Sequence, residues 1–153
     1  MRNRKYDYMK YYRVIRYFVK AKYNISQPDL DILFFLYSEG YFTIDRFLEF
    51  DRLVNWDNKR FKRLRSEGWI ENFRKPGGGQ KGLYEISHKG KRLIDSIYKK
   101  LEGEELPSTA EHNPLYRKRV KSTDKIYKNF IERMNKELRE MKTKGQRLRP
   151  SPE

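Results

Sequence analysis

The sequence predicts a mainly α fold with a small β-wing, and three observations carry that prediction. Apolar residues recur at helical spacing in several stretches of the 153-residue chain, separated by Ser, Thr, Asp and Gly at positions that suit helix caps. Residues 55–101 read NWDNKRFKRLRSEGWIENFRKPGGGQKGLYEISHKGKRLIDSIYKKL, a short basic helix that stops at Gly68 and gives way to two candidate strands, Trp69 to Arg74 and Leu83 to Ile86. Between the strands lies KPGGGQKG, a tip too rich in glycine to hold regular structure. Helix, turn, helix, strand, basic tip, strand and helix make a winged helix-turn-helix, with N- and C-terminal helices expected to form a dimerisation region.

Composition narrows what such a fold is for. Hydrophobic and charged residues each make up 37%, which allows only a small core, and twelve Tyr with nine Phe supply much of its packing. The formal net charge of +15 raises affinity for polyanions through counterion release and steering. Nucleic acid comes before an anionic membrane on that ground. The absence of cysteine excludes a disulfide framework, a thiolate metal site and a cysteine nucleophile. No apolar run approaches the roughly 20 residues needed to span a bilayer. MRNRKYDYMKYY has no apolar run behind its basic residues, so the expectation is a soluble, cytoplasmic, nucleoid-associated protein with no membrane partner.

Residues 1–25 read as an amphipathic helix, with Tyr8, Tyr12, Ile15, Phe18 and Val19 on one face and Lys10, Arg13, Arg16 and Lys20 on the other. The central segment, 26–101, opens on Ser26-Gln27-Pro28-Asp29, where an N-cap serine, an early proline and an acid three residues after the cap mark a helix start. Leu30, Leu33, Phe34 and Tyr37 form its inner stripe, with Ile32, Phe35 and Leu36 around it, and Gly40 is a left-handed C-cap candidate. Thr43 caps a short helix from Ile44 to Phe50, and a turn through Asp51 to Trp56 leads to Asp57, which caps the basic helix.

In that basic helix Phe61 and Leu64 must point inward, because they are its only apolar residues and lie three apart. Asp57, Asn58 and Lys59 then form its first turn, the part of a recognition helix that reaches base edges, and Lys62, Arg63 and Ser66 occupy its open sides. Asn bonds adenine bidentately, Lys and Arg bond guanine, and the remaining cations suit phosphates. Lys75, Gln80 and Lys81 sit where a wing meets the backbone or the minor groove. For any one charge, a solvated surface residue is the competing reading; the cluster beside a basic wing is what points to duplex DNA. GGGQKG lacks the ending of a phosphate loop, and two histidines without cysteine give no expected metal site or cofactor.

Leu93, Ile94, Ile97, Tyr98 and Leu101 keep helical spacing after the wing. Residues 102–113, EGEELPSTAEHN, read as a linker or reversal. Asn113-Pro114 start an expected helix over 114–143, in which Val120, Tyr127, Ile131, Met134, Leu138 and Met141 repeat at heptad spacing, Phe130 widens the seam and Asp124 either interrupts it or sets its register. Such a seam wants a partner helix. It docks either on the N-terminal helix of its own chain or on a second copy, through Tyr12, Ile15, Phe18, Tyr127, Ile131, Met134, Leu138 and Met141. Residues 144–153 read as a disordered basic tail.

The order of parts resembles the MarR family of winged-helix transcription regulators. Leu64-Arg65-Ser66-Glu67-Gly68-Trp69-Ile70 is similar to the family's leucine, polar triplet, glycine and apolar pair, and Ile86-Ser87-His88-Lys89-Gly90-Lys91-Arg92-Leu93 to its segment after the wing. The resemblance implies a homodimer reading a pseudo-palindrome, with Asn58, Lys59 and Arg63 at recognition-helix positions and an aromatic cleft for a small-molecule effector that the sequence does not name. Pro76 to Gln80 stand where the family carries an Asp-Xaa-Arg wing motif, leaving Lys75 and Lys81 as substitutes.

Two function classes follow. One is a sequence-specific double-stranded DNA-binding transcription regulator. The other is a winged-helix protein-interaction or structural module that binds RNA, a polymerase or a virion partner and treats nucleic acid without regard to sequence. No paired carboxylates, nucleophile spacing or phosphate cradle points to an enzyme.

Overall fold

The computed structural model describes residues 9–52 and 57–148 and orders its elements as α1 (Tyr12–Tyr23), α2 (Gln27–Glu39), α3 (Ile44–Glu49), α4 (Asn58–Ser66), β1 (Ile70–Arg74), β2 (Leu83–Ile86), α5 (His88–Leu101) and α6 (Ser122–Leu148). Tyr8, the end of the turn through Trp56, and residues 149–153 of the expected tail lie outside the described residues. The chain makes two units, residues 25–96 and residues 1–24 with 97–153, the division falling within α5.

In the central unit the caps act as their residue types require. Ser26 Oγ accepts the Asp29 N–H at 3.4 Å, Thr43 Oγ1 accepts the Arg46 N–H at 3.2 Å, and Asp57 accepts the Arg60 N–H at 2.8 Å. Leu30, Ile32, Leu33 and Leu36 of α2 are buried with Phe47 of α3 and Phe61 and Leu64 of α4. Fully burying such a side chain contributes about 1.5–3 kcal/mol. Tyr37 departs from the expected inner stripe of α2, and Phe35 from the apolar residues expected around it. Phe35 points away from the buried arc, and Tyr37, in the last turn, is partly exposed with its hydroxyl donating to Asp95 of α5 at 2.7 Å. Gly40 has a positive φ of 73° but a ψ of −121°, so it closes α2 outside the left-handed helical region.

β1 and β2 pair antiparallel with Ile70 opposite Ile86, and Phe42 adds a bridge to Tyr84 at their base. The register shifts between Asn72 and Arg74, which leaves Phe73 as the extra residue of a bulge. The expected in-out alternation is absent from β1, where only Ile70 is buried, because no layer covers a two-stranded wing beyond its base. The tip also differs from the irregular loop expected of its glycines. Gly77 and Gln80 exchange backbone hydrogen bonds at 3.1 and 3.0 Å across Gly78 and Gly79, whose φ values of 59° and 79° suit the tight two-residue hairpin turn.

The wing returns into α5, capped by Ser87 Oγ on the Gly90 N–H at 3.2 Å. Leu93 and Ile94 are buried, whereas Tyr98 is exposed and leaves the expected stripe. Gly90 is where α5 meets the sheet: a Cβ there would stand 2.5 Å from Ile86 Cγ2.

The terminal unit is built on α1 and α6. Val14, Ile15, Phe18 and Val19 of α1 are buried, as are Ile131, Met134 and Leu138 of α6. Tyr17 stacks on Tyr127, with centroids 3.7 Å apart and planes 4° from parallel, and its hydroxyl donates to Asp124 at 2.5 Å. Asp124, the residue that breaks the heptad, therefore registers α6 against α1. Its carboxylate raises the Tyr17 pKa to about 12, with burial adding to the effect.

Three boundaries of this unit differ from expectation. Asn113 and Pro114 start only a 3-10 turn, Pro114–Tyr116, because Arg117 is extended at ψ 155°; α6 begins at Ser122, so Val120 precedes it. Residues 102–113 are no loose linker. Leu106 is buried and exchanges hydrogen bonds with the Asn135 side-chain amide, both at 3.0 Å, and Asn113 Nδ2 donates to the Pro107 carbonyl at 2.8 Å. At the far end α6 continues to Leu148, so residues 144–148 are helical rather than tail.

Candidate nucleic-acid interface

α4 starts at Asn58 because Asp57 caps it, and its orientation follows from Phe61 and Leu64. Phe61 meets Phe47 edge-on at 5.1 Å and Tyr84 at 4.9 Å. With that side committed to α3 and the wing, Lys59, Lys62 and Ser66 form an exposed stripe at three- and four-residue spacing, with Asn58 beside it. Lys59, Lys62 and Asn58 carry no ion pair among the described residues.

The flank of α4 toward α2 carries a buried ionic cluster. Asp29, 2% exposed, accepts from Arg60 at 2.7 Å and from both terminal nitrogens of Arg63 at 2.8 Å. Burial by itself raises a carboxyl pKa, but the hydrogen bonds from Arg63, Arg60 and Ser26 outweigh it and hold Asp29 below its ordinary value. The bonds between Arg63 and Asp29 in turn raise the Arg63 pKa against the opposing effect of its own burial. This fork clamps α4 onto α2 and fixes the pitch at which Asn58 and Lys59 are presented.

The sequence-derived site residues therefore divide. Asn58, Lys59, Lys62 and Lys75 are exposed cations or amides with their polar ends open to a ligand. Arg63 is half-exposed, but its guanidinium is committed to Asp29, so its first role is to position the helix. Asp57 uses its carboxylate as a cap, and Ser66 donates its hydroxyl proton to the Arg63 carbonyl at 2.8 Å. Lys81 pairs with Asp45 of α3, which ties the wing to the first helix of the turn motif, while Arg74 donates to the Lys81 carbonyl at 2.9 Å. Gln80 closes the tip through its backbone.

Sequence reasoning passed over Arg65. On a helical wheel it falls next to Phe61 and looks half-inward, yet it is exposed, because that side of α4 faces the open wing. Its guanidinium lies 5.2 Å from the Tyr84 ring, a cation–π contact. Lys62, Arg65 and Ser66 form one wall of an open groove of about 610 Å³, with Ile70, Glu71 and Asn72 of β1 opposite. The spacing of Asn58, Lys62 and Arg65, four then three residues apart, was the available signal.

The dimerisation residues divide as well. Ile15, Phe18, Ile131, Met134 and Leu138 are buried inside one chain, so α1 covers the α6 seam and these five are not available to a second copy. Tyr12 and Tyr127 are half-buried, the latter beneath Tyr17, and Met141 is exposed. Ile126 and Phe130, 55% and 41% exposed, line an apolar groove of about 370 Å³ with Tyr11, Val14 and Tyr127, rimmed by Lys10 and Arg13.

Among the described residues, no helix is long and apolar enough to cross a membrane. Neither a family model nor a curated protein matches the sequence. Among solved structures the chain is similar to the crystal structure of AbfR of Staphylococcus epidermidis, at 11% identity and a TM-score of 0.41, over 86% of this chain and 83% of that one. A likeness at that level assigns neither family nor function.

Proposed function

We propose that the chain is a sequence-specific double-stranded DNA-binding transcription regulator, with α4 in the major groove and the wing, residues 75–82, on the backbone or minor groove. The observation that supports this most is the division of labour on α4: Arg60 and Arg63 hold the helix to Asp29, while Asn58, Lys59 and Lys62 project from it unpaired. A recognition helix needs both a fixed axis and a polar first turn free to reach base edges. Lys75 supplies the wing's phosphate contact, since Lys81 is paired. The reading includes membership of the MarR family, a cytoplasmic location and a homodimer. With the α6 seam used internally, a two-fold contact draws on Ile126, Phe130 and Met141, and the mass in solution tests it.

Selection of bound sites from a random duplex library at near-physiological salt tests the whole. Enrichment of an inverted repeat, with half-sites about one helical turn apart, is expected of a dimeric reader. Binding without enrichment of any sequence contradicts it.

A second reading is favoured by one feature of the central unit. Tyr41 and Phe73, both exposed, stack at 3.9 Å beside the wing, an apolar step that a protein partner can cover. A stable protein partner in pull-down, lost on Phe73→Ser and accompanied by weak, sequence-blind DNA binding, selects the interaction module instead.

A further inference from the structure

The positive charge lies mainly outside the winged helix. Residues 1–24 and 97–153 hold 23 Lys and Arg against 10 Asp and Glu, whereas residues 25–96 hold 13 against 11, so the terminal unit carries +13 of the net +15. Its densest cluster is Arg117-Lys118-Arg119 with Lys121, in the irregular segment between the 3-10 turn Pro114–Tyr116 and the start of α6. All four side chains are exposed. Among the described residues no ion pair engages them.

The surroundings keep this cluster positive and fixed. The first two carboxylates of α6 stay ionised but accept from tyrosine hydroxyls, Asp124 from Tyr17 and Glu132 from Tyr116, and among the described residues neither forms an ion pair with the four cations, which outnumber them. Lys125 is exposed, and Lys128 lies 4.7 Å from the Tyr116 ring, extending the basic face along the first turns of α6. The segment is anchored upstream, where Leu115 is buried and its N–H donates to Asn113 Oδ1 at 3.0 Å. Its apolar members, Val120 and Tyr116, are half-buried, so within the segment nothing projects to enter a bilayer; the exposed Ile126 and Phe130 of α6 line the separate groove with Tyr11 and Val14. Closely spaced, unpaired cations without an apolar anchor match the repeating charge of a nucleic-acid backbone.

We propose that residues 117–121 form a second, sequence-blind contact for duplex DNA, taking backbone phosphates separately from whatever α4 reads. It goes beyond the winged-helix reading and stands on a different unit.

The test measures binding of the full chain to a random-sequence duplex across a salt series. Arg117→Gln with Lys118→Gln and Arg119→Gln is compared with the charge-matched Lys136→Gln, Lys142→Gln and Lys144→Gln on exposed α6 positions. Each phosphate contact contributes about 0.9 to the slope of log affinity against log salt, so the first triple is expected to lower the slope by about 2–3 and the second by less than one. Lys121→Gln with Lys125→Gln provides an independent reduction of about 1–2. Equal losses from both triples reduce the cluster to bulk charge and overturn the proposal, as does an unchanged slope. Tighter binding to phosphatidylserine vesicles than to the duplex, abolished by the first triple, overturns it in favour of a membrane. The winged-helix reading fails separately, through Lys59→Gln leaving site preference intact.

Discussion

Arg63 donates from both terminal nitrogens of its guanidinium to the Asp29 carboxylate at 2.8 Å, with Asp29 almost fully buried. A residue that the sequence placed on the open, DNA-reading side of α4 instead holds the proposed recognition helix in place. Arg60 completes the cluster from one turn earlier on α4. Breaking a buried, charge-assisted pair from the carboxylate side leaves two cations that can still reach water, which limits the cost.

Asp29→Asn should lower the stability of the central unit by about 1.5–3 kcal/mol near neutral pH, the range for hydrogen bonds to charged groups. The sign with pH follows from the lowered Asp29 pKa. A depressed carboxyl contributes stability above its unfolded value of about 3.9 and loses it as pH falls through the folded value. Urea unfolding followed by tryptophan fluorescence should therefore show the wild-type advantage at pH 7 shrinking below about pH 4. An advantage independent of pH contradicts the assignment.

Gly90→Ala should destabilise the same unit through crowding. The new methyl carbon meets Ile86 Cγ2 at 2.5 Å, and Ile86 is a buried, β-branched side chain with little room to turn. Overpacking of this kind costs about 1–3 kcal/mol. Adding Ile86→Val, which removes one methylene group without removing Cγ2, should recover little; Ile86→Ala in the Gly90→Ala background should cost less than it does alone. Additive losses in that double-mutant cycle count against a direct clash.

Tyr17→Phe tests the register of the terminal helices. It keeps the ring stack on Tyr127 and removes the hydroxyl from Asp124, at a cost of about 1 kcal/mol for a part-exposed hydrogen bond. A tyrosine pKa raised to about 12 in the folded state contributes stability below its unfolded value of about 10 and loses it as pH rises toward 12. The difference between wild type and variant should vanish across that window. Far-UV circular dichroism during urea unfolding at pH 8 and pH 11 reads it.

The local parts of this fold were legible in the sequence because local rules made them. Ser26, Thr43 and Asp57 cap the helices their residue types announce, and the three-residue spacing of Phe61 and Leu64 fixes the open face of α4. What escaped depended on distance along the chain. Asp29 looked like an N-terminal helix acid, which it is, and nothing local tied it to Arg63, 34 residues on. The α6 heptad required a covering helix without stating whose; burial of Ile131 and Met134 against α1 of the same chain answers that within one copy. The start of α6 was missed because Asn113 and Pro114 signal a helical turn truthfully, and that turn ends at Tyr116. Lys81 was read as a wing contact because its partner, Asp45, is 36 residues away.

The central claim is that the first turn of α4 reads bases, and the most direct measurement is the affinity of Asn58→Ala for the selected site and for a scrambled duplex of equal length. Loss of about 1–3 kcal/mol on the selected site, with the scrambled duplex bound as before, is the predicted result. An equal loss on both duplexes, or none on either, would contradict it.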